Sequence, residues 1–308
     1  MYFAKGIVLL LAEALVTVAI PMEEYRTTLH QLSRRGVSYD ASCDRKISGS
    51  NNTYKSKVQT AFGDAGQLAQ LTQQGKDSKG NAFTESTAFT HYFGDGDKDQ
   101  VKNMMQAIYN SRIPDDAQHQ GEGYTITIKC GSDQDKANCG VSVLAATSPK
   151  PGDPTMVLCD RFFSANTVQT KQDLNTKAIG SRRGQWCQPD SQFPFFEVAG
   201  LTMFHEMTHL DVVGSMAGLS ARDDPDGFQS HGTVDVYVQG DDDDMDKYKD
   251  MEPWQAARKL HQLWDTYNGD NSQYKPTTPT TENAESFAAA ALEFYFLAQC
   301  NWDVILPE

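Results

Sequence analysis

His205-Glu206-Met207-Thr208-His209 sits inside a stretch, Phe195 to Val213, whose inward-type residues recur at helical spacing. Val198, Leu201, Thr202, His205, His209 and Val212 fall on one stripe, so the spacing predicts a helix over Phe195–Val213 with that stripe turned to the interior. Residues four apart share a helix face. The two imidazoles can therefore hold one Zn²⁺ between them, with Glu206 beside the bound water as a candidate general base. The competing reading is a pair of core histidines satisfied by backbone carbonyls.

A catalytic zinc takes three protein ligands and keeps one position for water. Val212 and Ser215 stand where the metzincin extension would place Gly and His, which excludes that class. Asp211 follows His209 by two residues and points away from the pair on a continuous helix. Two downstream carboxylates survive as the third ligand. They are Asp235, in Gly232-Thr233-Val234-Asp235-Val236-Tyr237, and Glu285, in Glu282-Asn283-Ala284-Glu285-Ser286-Phe287.

Working outward, Glu23–Arg34, Tyr54–Gln74 and Asp97–Tyr109 are predicted helices; Val101, Met104, Met105 and Ile108 make the last one amphipathic. Tyr124 to Cys130 alternates with period two and is β-branched, which predicts a strand. Val141–Ala145 and Met156–Cys159 read as two more strands, separated by a Pro- and Gly-rich turn at 148–154. Pro253–Tyr267 opens with proline in its first turn and lines Trp254, Ala257, Leu260 and Trp264 on one face. Thr281–Gln299 is apolar on most sides, the pattern of a buried helix. Helices, then strands, then helices predict an α+β fold. Asp241–Asp244 with Asp246 form an acidic run, read as a solvated loop, with a Ca²⁺ site or a cation-attracting rim as the functional alternatives.

The net charge of −14 over 308 residues argues against a nucleic-acid partner and against adsorption to anionic membranes. Residues 1–19 read as a signal peptide, with Lys5, an apolar run from Ile7 to Val18, and a small-residue site at Thr17-Val18-Ala19. Residues 20–308 are expected to form one domain, secreted and monomeric. Six cysteines without a CxxC pair fit three disulfides in an oxidising compartment. Spacing alone leaves fifteen pairings. Asn51-Asn52-Thr53 is the single N-glycosylation sequon.

On these segments the chain resembles the aspzincins, the deuterolysin and peptidyl-Lys metalloendopeptidase group of secreted zinc proteases. That family pairs its two-His helix with a downstream Gly-Thr-x-Asp-x-x-Tyr segment. Gly232-Thr233-Val234-Asp235 is similar to its first half, and Asn283-Ala284-Glu285-Ser286-Phe287 to the family's Asn-Ala-Asp-Ser-Tyr-like stretch. His91 to Gly94, the helix over Val101–Ile108, the strand ending at Cys130, and Val157 to Phe163 follow in the family's order, so the likeness spans about Cys43 to Cys300. It implies a zincin-like, mainly helical fold with a small sheet and one catalytic Zn²⁺ on His205, His209 and Asp235. Glu206 would be the general base and Tyr237 an oxyanion donor. Glu285 would line the pocket for a substrate side chain or replace Asp235 as ligand. The likeness also implies disulfides Cys43–Cys130, Cys139–Cys159 and Cys187–Cys300. Tyr237 follows Asp235 by two residues where the family's tyrosine follows by three, and Glu285 stands where the family has Asp. The expected activity is endopeptidase cleavage of protein or peptide substrates, with a preference for lysine or other basic residues. The alternatives are a thermolysin-like gluzincin with Glu282 or Glu285 as ligand, and a secreted zinc-binding antigen or scavenger on the same fold without turnover.

Overall fold

Thr53 Oγ1 accepts the Ser56 N–H and Ser56 Oγ accepts the Thr53 N–H, a reciprocal cap that starts α1 (Tyr54–Gln74). A computed structural model describes residues 37–111, 124–164, 167, 170, 172–174, 192–224, 226–236 and 251–300. The expected signal peptide, the helix over Glu23–Arg34, Tyr237, Cys187 and the acidic run at 241–246 lie outside the described residues. After α1 come a single turn, α2 (Thr87–Thr90), and α3 (Lys98–Asn110), which buries Val101, Met104, Met105 and Ile108 as its spacing predicts.

The sheet has four strands, β1 (Val37–Tyr39), β2 (Ile126–Cys130), β3 (Ala145–Thr147) and β4 (Thr155–Leu158), in the order β1-β2-β4-β3. β1, β2 and β4 run parallel, and β3 pairs antiparallel with β4 at the edge. The strand expected over Val141–Ala145 is thus displaced to Ala145–Thr147. Val141 is fully exposed on a loop held by the Cys139–Cys159 disulfide, and pairing with β4 begins only where Leu144 accepts the Cys159 N–H. A second disulfide joins Cys43 to Cys130, and both agree with the pairings the resemblance implies. Cys300 is disulfide-bonded as well. The fold is α+β, with helices packed on a small mixed sheet.

A short helix, α4 (Asp160–Phe163), follows the sheet and leads towards α5 (Ala199–His209) and α6 (Asp211–Ala217). The single helix expected over Phe195–Val213 is broken. It begins after a 3₁₀ turn at Phe193–Phe196 and stops at Leu210, whose backbone is extended. The cause lies in a later segment. The Thr233 N–H occupies the Thr208 carbonyl at 3.0 Å, a carbonyl that a continuing helix would have used for its own ladder. Asp211 then opens α6, where a carboxylate suits the helix N-terminus. A two-stranded hairpin, β5 (Arg222–Asp223) and β6 (Gln229–Ser230), precedes that segment.

α7 (Pro253–Gly269) buries Trp254, Ala257 and Leu260, while Trp264 donates its indole N–H to the Thr278 carbonyl. α8 (Ala284–Cys300) is buried along almost its whole length, packing on α1, α5 and α7. Its apolar surface is interrupted by Glu293, wholly buried. Arg258 Nη2 donates to Glu293 Oε2 (2.6 Å) and Arg258 Nε to the Tyr92 hydroxyl (3.1 Å), and His91 Nδ1 meets Glu293 Oε1 (2.7 Å). A charge in that position is tolerable because each carboxylate oxygen has a partner. Replacing Glu293 by Gln leaves the Arg258 guanidinium buried without its counter-charge. Guanidinium chloride unfolding should register a loss of about 3–5 kcal/mol.

Candidate metal centre

The two motif histidines sit on the last turns of α5 with side chains 17% and 12% exposed, and His209 lines a cleft of about 570 Å³ together with Glu206 and Asp235. Their Nε2 atoms are 3.2 Å apart. Asp235 Oδ1 closes a triangle with them, 2.9 Å from His205 Nε2 and 3.2 Å from His209 Nε2. Among the described residues this is the one His/Cys/Asp/Glu group whose ligand atoms converge in this way.

The other nitrogen of each ring is already engaged. His205 Nδ1 lies 2.9 Å from Glu285 Oε2, and His209 Nδ1 lies 2.9 Å from the Thr233 carbonyl oxygen. Both partners are acceptors, so each ring carries its proton on Nδ1 and turns the Nε2 lone pair towards Asp235. Two lone pairs and a carboxylate facing one point repel one another unless a cation or a proton lies between them. The donor set of two imidazoles and one carboxylate suits zinc, and the triangle's edges are within a few tenths of an ångström of the roughly 3.3 Å that tetrahedral bonds of about 2.0–2.1 Å require.

Asp235 reaches this point because its loop is fastened on both sides. Val234 donates its N–H to Glu282 (2.9 Å) and accepts the Ala284 N–H (3.0 Å), a parallel bridge between Val234 and Asn283 that ties the loop to the start of α8. On the α5 side, Thr208 and Thr233 share a hydroxyl–hydroxyl bond of 2.7 Å. The backbone runs so close to the helices that no side chain fits at Gly232, where a methyl would run into the His209 carbonyl, or at Gly214, where it would meet the His231 carbonyl. Arg222 donates to the Gly232 carbonyl, and Asp211 accepts from both the backbone N–H and Nδ1 of His231, each at 2.9 Å.

Glu206, 7% exposed, faces the same cleft and accepts a hydrogen bond from Thr147 Oγ1 at 2.7 Å. Of the two carboxylates open as third ligand, Asp235 joins the histidines, whereas Glu285 holds the far nitrogen of His205. Tyr237 lies outside the described residues. Thr147, Thr208 and Thr233 escaped the reading of the chain as site residues. Thr208 stands inside the His205–His209 motif and Thr233 in the Gly-Thr-x-Asp segment, yet the contacts that define their roles, like that of Thr147, are distant in sequence.

Electrostatics show what fills the triangle in the absence of metal. Burial works against the His205 imidazolium, but hydrogen bonds to Asp235 and Glu285 raise it well above its ordinary value of 6.5. Burial likewise opposes the Asp235 carboxylate, yet the His205 and His209 rings hold it well below the usual carboxylate range. Both shifts favour a protonated His205 paired with an ionised Asp235 when no metal is bound.

Comparison with protein-family models, curated proteins and solved structures returns no match. The reading of the centre rests on its own residues.

Two outcomes are expected of zinc titrations. Because the metal-free site keeps its His205 proton above pH 6.5, zinc must displace it. Affinity should rise with pH through neutrality, by up to about tenfold per unit, until the raised value is passed. Calorimetry in buffers of different ionisation enthalpy should find close to one proton released. Glu285→Ala removes the acceptor that orients His205 and should weaken zinc binding about 10–100-fold, as read by chelator competition.

Proposed function

We propose that the chain is a secreted zinc-dependent endopeptidase of aspzincin type on a zincin-like fold. One observation carries the reading. Two Nδ1-anchored histidines and Asp235 converge in a cleft that also presents the Glu206 carboxylate. A site for storage alone needs no such neighbour.

The cleft wall supports a peptide substrate. β3 is a sheet edge, and Ala145, Ala146 and Thr147 line the cleft. Leu144 accepts from Cys159 and Ser148 donates to Thr155. By the alternation of antiparallel pairs, Ala145 and Thr147 then turn their backbone N–H and C=O groups to the open edge. An extended peptide laid there gains strand-like hydrogen bonds and brings a backbone carbonyl over the histidine pair.

Zinc bound at the triangle supplies a Lewis acid for that carbonyl and makes a water acidic near neutral pH. Glu206 takes the proton from the attacking water and delivers it to the leaving amine nitrogen as the C–N bond breaks. Glu285 and the Thr233 carbonyl hold the imidazoles in place throughout. The preference for basic residues does not draw on Glu285, which is engaged with His205. It draws on Asp223, Asp224 and Asp226 along the cleft, whose charges attract cationic side chains. Secretion is supported by the two disulfides; among the described residues no helix is long and apolar enough to cross a membrane.

The test is hydrolysis of casein and of a mixed peptide library by the purified protein. Activity should vanish with a chelator and return with zinc. Glu206→Gln should lose about 10²–10⁴-fold in rate while mass spectrometry still finds one zinc per chain. Stoichiometric zinc with no hydrolysis by the wild type would instead identify a zinc-binding protein without turnover.

A further inference from the structure

Thr147 occupies an unusual junction. It ends the edge strand β3, its backbone faces the cleft, and its hydroxyl donates to Glu206 Oε2 at 2.7 Å. We propose that Thr147 is a positioning residue for Glu206, locking the general base in the rotamer that serves a peptide held on the same strand. The inference rests on the peptidase reading above and names a residue that reading does not require.

The physical case begins with the glutamate. Its side chain has several rotatable bonds, and a carboxylate on a cleft wall without a partner has more than one staggered rotamer to choose from. A carboxylate can accept about four hydrogen bonds through its two oxygens. One bond from Thr147 to Oε2 therefore fixes the rotamer and leaves Oε1 to receive the proton of the attacking water. The hydroxyl is itself well placed. Ser148, the next residue, donates its N–H to Thr155 (2.8 Å) and its Oγ to Asp153 (3.3 Å), while Thr155 Oγ1 donates to Asp153 (2.5 Å). The Cys139–Cys159 disulfide restrains the other end of the hairpin. Substrate edge and general base are thus registered to one another through a single side chain. A misplacement of about 1 Å in such a group can cost about 100-fold in rate.

A purely architectural role makes the opposite forecast, because Val fits an edge strand as well as Thr does. The experiment compares Thr147→Val and Thr147→Ser with the wild type, each loaded with zinc. Expected for Thr147→Val is a kcat lower by about 10–100-fold with KM and zinc affinity unchanged, and recovery of most of that loss in Thr147→Ser. A second readout is independent of turnover. In the zinc-free protein, the melting-temperature drops of Thr147→Val and Glu206→Ala should sum to more than the drop of the double variant, as for residues in contact. A Thr147→Val enzyme with wild-type kcat, or strictly additive melting shifts, overturns the inference and leaves the peptidase reading standing. A zinc-loaded wild type that hydrolyses nothing overturns both.

Discussion

The parallel bridge between Val234 and Asn283 is the contact on which the site depends. α5 supplies the histidine pair by helical periodicity alone, but a third ligand must arrive from elsewhere in the chain. Two backbone hydrogen bonds at Val234 set the height of the loop against α8, and the next residue is Asp235. The same bridge lies two residues before Glu285, so the loop and the carboxylate that orients His205 are placed by one piece of geometry. Gly232 and Gly214 complete the fit, since only a bare backbone can lie this close to the helices.

That seating also explains the shape of the helix. A continuous α-helix would use the Thr208 carbonyl internally, and the Thr233 N–H of the loop would have no acceptor to dock on. Breaking the ladder at Leu210 leaves carbonyls for Thr233 and turns α6 aside. The chain gives up a stretch of regular helix for a fixed corner in which His205, His209 and Asp235 converge. Glu293, Arg258 and Tyr92 hold α8 about two turns further along, and Glu285 adds its charge to those acting on Tyr92, so the start of α8 and its buried charge cluster belong to one electrostatic environment.

Much of this is local in sequence and could be read there. α1 has the bounds that its helical composition predicts, and α3, α7 and α8 lie within a few residues of their predicted limits. The histidine pair and Glu206 were legible because a helix makes i and i+4 neighbours whatever surrounds it. What could not be read depends on contacts far apart in the chain. The break at Leu210 is caused by Thr233. The shift of β3 to Ala145–Thr147 follows from pairing with β4 and from the Cys139–Cys159 tether, which outweigh the β-branched character of Val141 and Val143. Glu285 was open as ligand or pocket residue, and only the His205 Nδ1 contact assigns it to orientation. Thr147, some sixty residues before Glu206 in the chain, carries no motif at all.

The central claim is that His205, His209 and Asp235 together bind one zinc ion. X-ray absorption at the zinc edge tests it most directly, on the purified wild type and on Asp235→Ala. Expected is a shell of nitrogen and oxygen at about 2.0–2.1 Å, with the multiple-scattering signature of two imidazoles, and loss of the oxygen ligand and of tight binding in the variant. A sulfur ligand, a third imidazole, or a spectrum that Asp235→Ala leaves unchanged would contradict it.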